Sequence, residues 1–111
     1  MPVDMILLAE YHQALGPGPA RMVAELFVEQ IELRLSTIQS AVTAGDLAAV
    51  RNEAHAMKGS AAQMGAEPLR ALASELVQVS DIAAASGLAA RLPAMVEECR
   101  TAISHWLAGA A

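Results

Sequence analysis

The chain has 111 residues, a net charge of −5, and 55% hydrophobic residues, of which only Tyr11, Phe27 and Trp106 are aromatic. The acidic balance argues against a nucleic-acid binder, which presents a basic face, and no apolar run reaches the 18 or so residues needed to span a bilayer. The length suits one domain around one core, taken here as residues 1–111 with the core at about 19–108.

The residue types favour helix throughout. Ala, Leu, Met and Glu are strong helix formers, and Val, Ile and Thr never alternate at period two. The N-terminal MPVDMILLAEY has a short apolar piece but no basic region, and it carries Asp4, so a secretory signal is not expected. The lone Cys99 has no internal disulfide partner. That fits a reducing cytoplasm, with the thiol read as a buried small hydrophobe.

Residues 3–15 are expected to form a short helix with Ile6, Leu7, Tyr11 and Leu15 on one side. Gly16-Pro17-Gly18-Pro19 breaks it. A long helix follows from about Pro19 to Ala44, with Met22, Leu26, Val28, Ile31, Leu35, Ile38 and Val42 as its apolar face. Gly45 ends it, and Asp46 caps the next helix, which extends to Gly65. Pro68 falls in the first turn of another, to about Ser80, carrying Leu69, Leu72, Leu76 and Val79. Ser80 to Gly87 reads either as a loop or as an extension of that helix. A last helix covers about Leu88 to Ala108. Pro93 either bends it or marks a start nearer Leu92. The tail Ala108 to Ala111 is expected to fray. Short links between long helices predict an all-α fold. The expected form is an antiparallel up-down-up-down four-helix bundle with a short extra N-terminal helix.

The third helix carries the chemistry. At about 100° per residue, Val50, Ala54, Met57, Ala61 and Met64 gather roughly opposite His55 and need a core. Ala48, Arg51, Asn52, Lys58, Gly59 and Ala62 fall within about 60° of His55. The histidine therefore points outward between two cations and three small residues. An exposed histidine alone is common, but its setting is not. Lys58 is the only lysine in the chain. Gly59 costs a helix interior roughly 1 kcal/mol relative to Ala, and access to the ring would explain it. Arg51 and Lys58 would keep the ring neutral and nucleophilic, and would offset the charge of a phosphoryl group placed on it.

Other residues point elsewhere. His12 and His105 read as surface or edge residues, Ser60 as a core-edge side chain with no base placed to activate it, and the methionines as core fillers. No spacing matches a metal site. There is no Gly-rich phosphate loop and no acidic cluster arranged for Mg²⁺, so no ATP site is expected.

His55-Ala-Met-Lys58-Gly59-Ser60-Ala61 resembles the His-x-x-Lys-Gly motif of histidine-containing phosphotransfer (HPt) domains. Ala44-Gly45-Asp46-Leu47 before the helix and Gln63-Met64-Gly65 at its end agree, and the resemblance covers about residues 20–107. It implies a four-helix-bundle phosphocarrier, not an enzyme in its own right. His55 would take a phosphoryl group on Nε2 from a receiver-domain aspartyl phosphate and pass it to another receiver. Lys58 would lie near that group, Gly59 would give the partner clearance, and Gln63 and Gly65 match the extended motif. In some members a Gln on the following helix approaches the ring, and near that position this chain has Val77 and then Gln78. The partners implied are receivers of a hybrid histidine kinase and of a downstream regulator. Mg²⁺ would sit on the receiver and the carrier would hold no cofactor of its own. A cytoplasmic monomer, bound to neither membrane nor nucleic acid, is the simplest form.

Two other readings stand beside this one. The chain could be an interaction module of the same shape that binds a receiver or histidine kinase without carrying phosphate. It could also be a bundle that oligomerises through an apolar face, which leaves the small, basic setting of His55 unexplained.

Overall fold

The computed structural model describes residues 2–110, and the chain is all-helical, with no strand among the described residues. Six helices run in order: α1 (Ile6–Leu15), α2 (Pro17–Thr43), α3 (Leu47–Gln63), α4 (Glu67–Val77), α5 (Ile82–Ala89) and α6 (Leu92–Ala110). They form a rod 44 Å long and 19 Å across. Helix α3 packs against α2 on one side and α4 on the other, α1 and α6 pack on α2, and α5 lies among α2, α3, α4 and α6.

Both ends of α3 are fixed by local chemistry. Asp46 caps its start, accepting the Ala49 N–H at 3.0 Å, which satisfies one orphan donor of the first turn. The two flanking glycines adopt φ +70° at Gly45 and +68° at Gly65. After each, the next amide reaches back five residues: Asp46 N–H to Ala41 O at 2.9 Å and Ala66 N–H to Ala61 O at 2.8 Å. These reversals are the left-handed helix ends for which glycine is best suited. The core contains Val50, Ala54, Met57, Ala61 and Met64 from the stripe opposite His55, all buried. Ile31 and Ile38 of α2, Leu69, Leu72 and Leu76 of α4, and Leu92, Val96, Cys99 and Ile103 of α6 join them.

The structure departs from expectation in several places. Helix α1 begins at Ile6 rather than residue 3, and it buries Leu8 while Ile6 and Leu15 face outward. Helix α2 begins at Pro17, because Gly16 at φ +91° makes the break alone and Pro17 and Pro19 then sit in a first turn that needs no amide donors. Its buried face is Ala20, Ala24, Phe27, Ile31, Ile38 and Ala41, while Met22 and Leu26 are exposed. Helix α4 ends at Val77, not Ser80. Ser80 to Gly87 is neither a loop nor an extension of α4. Asp81 turns extended, accepts the Ala84 N–H at 2.7 Å and starts the separate helix α5, which also takes Leu88 and Ala89. Helix α6 starts at Leu92, so Pro93 lies in its first turn and removes no ladder bond. Of the tail expected to fray, α6 extends through Ala110 and Ala111 lies outside the described residues.

Residues 2–4 cross the end of the helices. Val3 is fully buried, the Asp4 N–H donates to Gly65 O at 2.8 Å, and the Cys99 thiol donates to Pro2 O at 3.7 Å. On α1, His12 meets Trp106 of α6 edge to face, with ring centroids 6.1 Å apart.

Candidate functional site

Helix α3 holds its inner stripe against α2 and α4, so its outer face is as rigid as the core behind it. His55 lies midway along that face and is exposed, with Asn52, Gly59 and Ala62 exposed around it and Lys58 half-buried. A methyl group built on Gly59 would meet nothing within 4 Å. Neither nitrogen of the His55 ring hydrogen-bonds a protein group among the described residues, and Gln78, the C-cap of α4, makes no side-chain bond to it.

Charge around the ring is uneven. Arg34, Arg70 and Arg100 pair closely with Glu53, Glu67 and Glu97 at 2.5–2.8 Å, and Arg21 lies 3.8 Å from Glu25. Lys58 and Arg51, within one turn of His55 on either side, pair with no carboxylate among the described residues. The nearest acid on α3, Glu53, lies about 160° around the helix from His55 and is drawn to Arg34 of α2 at 2.8 Å. The histidine face thus keeps its positive charge, and its own carboxylate is turned away. This favours an anion on the ring, with each exposed contribution modest and salt-dependent.

The sequence-predicted residues fare differently. His55, Lys58 and Gly59 share one face. Arg51 lies on it too, but its guanidinium is engaged elsewhere: Nε donates to Val79 O at 2.9 Å, and Nη2 donates to the same oxygen. Gln63 is exposed further along α3. With Ser60 and Met64 it lines a half-open cavity of about 280 Å³, together with Leu7 and Tyr11 of α1 and Val23, Leu26, Phe27 and Gln30 of α2. No group of three His, Cys, Asp or Glu side chains converges to hold a metal ion among the described residues.

Sequence reasoning missed an apolar surface. Met22, Leu26 and Leu33 of α2 are 70%, 54% and 61% exposed. They fall within about 40° of one another around α2, roughly 100–140° from the buried Phe27. Leu26 reaches the cavity beside Ser60 and Gln63, so the stripe adjoins α3 on the flank of Gly59. The signal was in the sequence: α2 carries two apolar stripes, and three of the six buried residues of the inner one, Ala20, Ala24 and Ala41, are small.

A family model for the Hpt domain matches residues 22–102. The crystal structure of histidine-containing phosphotransfer protein B from Pseudomonas aeruginosa PAO1 is similar, with a TM-score of 0.82 and 25% sequence identity over 96% of this chain and 94% of that one. No curated protein matches the sequence. The chain therefore belongs to the Hpt domain family and serves as a histidine phosphotransfer module in a phosphorelay.

Proposed function

We propose that His55 is the phospho-acceptor. The observation that carries this is an exposed imidazole on a rigid helix, flanked by a lysine with no carboxylate partner among the described residues and by a glycine with open space above it. In the step, the Nε2 lone pair attacks the phosphorus of a receiver's aspartyl phosphate. The P–N bond forms as the P–O bond breaks, and the aspartate leaves as a carboxylate. Nδ1 carries the ring proton and gives it up to solvent as charge builds. Reversal onto a second receiver returns the histidine.

Phosphoryl transfer relies on positioning and charge stabilisation. Lys58 would offset charge on the transferring group, Gly59 would let the partner approach, and Gln63 would sit at the edge of the contact. The receiver would bring Mg²⁺ and much of the stabilisation, and the carrier would need neither ATP site nor cofactor. The apolar stripe Met22, Leu26 and Leu33 beside this face suits the dry centre of a transient interface. We read α2, α3, α4 and α6 as an antiparallel up-down-up-down bundle within one domain of residues 1–111. The reading extends to a cytoplasmic monomer between the receivers of a hybrid kinase and of a downstream regulator. No helix among the described residues is long and apolar enough to cross a membrane.

The test is phosphoryl transfer from a phosphorylated receiver to wild type and His55→Gln in parallel. Acid-labile, base-stable label on wild type alone is expected. Label retained by the variant would overturn the assignment. Binding without label on either would favour an interaction module that carries no phosphate.

A further inference from the structure

Arg51 lies four residues before His55, about 6 Å along the helix and 40° around it, so the two side chains are neighbours on one face. Its guanidinium is occupied in a way the sequence did not foretell. Nε and Nη2 both donate to a single oxygen, the carbonyl of Val79. Val79 belongs to the link between α4 and α5. Its side chain is buried, and its amide closes on Leu76 O at 3.4 Å, next to that of Gln78 on Glu75 O at 3.1 Å. The bond therefore ties the α4–α5 link to α3 one turn from the histidine.

Two donors of a planar fork converging on one neutral oxygen leave that fork's best partner unmet. The guanidinium matches two oxygens of a carboxylate or phosphate, and bonds to an ionised acceptor are roughly twice as strong as neutral ones. A phosphoryl group on His55 would bring such oxygens, with about two negative charges, within a turn of Arg51. Among the described residues, Arg51 also pairs with no carboxylate that would compete for it.

We propose that Arg51 is a positioning residue with two states, resting on the reading that His55 carries the phosphoryl group. In the unphosphorylated protein it clamps Val79 and holds the α4–α5 link. On phosphorylation its guanidinium moves to the phosphoryl oxygens and releases the link. The exposed residues Gln78 and Ser80 of that link then differ between the two forms, so a receiver can distinguish a loaded carrier from an empty one.

The experiment uses the full chain, ¹⁵N-labelled, with phosphoramidate as the small phosphoryl donor. The P–N bond to ammonia breaks as the bond to Nε2 forms, and mass and ³¹P spectra report the occupancy of His55. In wild type, phosphorylation is expected to shift the Arg51 Nε–H resonance and to speed amide exchange at Gln78 and Val79 about tenfold, the scale of losing one charged hydrogen bond. In Arg51→Met the link should exchange quickly in both states. Arg51→Lys should also lose the resting protection, since a single ammonium does not reproduce the paired bond to Val79 O. A fully phosphorylated wild type with unchanged exchange and an unmoved Arg51 resonance would overturn the inference and leave the His55 assignment standing. No phosphate on His55 would overturn both.

Discussion

The backbone of Asp4 lies directly against Gly65. The Asp4 amide donates to Gly65 O at 2.8 Å, and a Cβ on Gly65 would come within 2.7 Å of the Asp4 Cβ and 3.0 Å of its carbonyl oxygen. Gly65 is also at φ +68°, where an L side chain costs roughly 1–2 kcal/mol. Gly65→Ala should therefore both strain the α3–α4 turn and push residues 2–4 off the end of the helices. We expect a loss of about 2 kcal/mol and a Tm lower by about 10 °C. A thermal melt equal to wild type would show that the two segments yield without cost.

Gly59 makes the opposite case. It lies inside a helix at ordinary φ with nothing near its missing side chain. Gly59→Ala should raise stability by about 0.5–1 kcal/mol. Gly59→Leu should fold as well and yet take phosphate from a receiver at least about tenfold more slowly, through obstruction. Chemical denaturation and transfer rates measured on the same samples check both halves. Wild-type transfer by the leucine variant would remove the steric role assigned to this residue.

The exposed stripe on α2 should matter to partners and not to folding. Met22→Ser and Leu33→Ser replace side chains already 70% and 61% exposed, so each should leave stability within about 0.5 kcal/mol. Together they should weaken receiver binding about tenfold. Titration calorimetry with a receiver domain reads this directly, and unchanged affinity would place the interface elsewhere.

Cys99 gives a pH dependence. Burial, with a smaller contribution from the charge of Glu98, pushes its thiol from 9.0 up to about 11. The thiol should resist a disulfide reagent at pH 8 in the native protein and react at once in denaturant. Because the folded pKa is raised, the unfolded chain gives up its proton first as pH climbs. The stability tied to this group is whole below about 9 and is lost as pH rises towards about 11. Denaturation midpoints of wild type and Cys99→Ala should converge or cross over that window.

The helices and the histidine face were legible because period and capping are local. Asp46, Gly45, Gly65 and the stripe from Val50 to Met64 need only their neighbours in sequence to be understood. What escaped was set by distant partners. Arg51 looked like a free cation until Val79, 28 residues on, supplied an acceptor. Met22 and Leu26 looked like core because they are large, while the buried face of that stretch of α2 is Ala20, Ala24 and Phe27. The start of α5 was signalled by Asp81, a capping residue read as part of an ambiguous stretch.

A single ring on one open face also governs the order of events. If His55 serves two receivers, both must stand on the same ground, since no second route leads to the imidazole through the packed side of α3. Donor and acceptor then exclude each other, and the relay runs as a double displacement with no ternary complex. Surplus unphosphorylated donor becomes an inhibitor, so flux through the carrier should peak and then fall as donor concentration rises. On that reading the ratio of the two partners, as much as their chemistry, would control the signal.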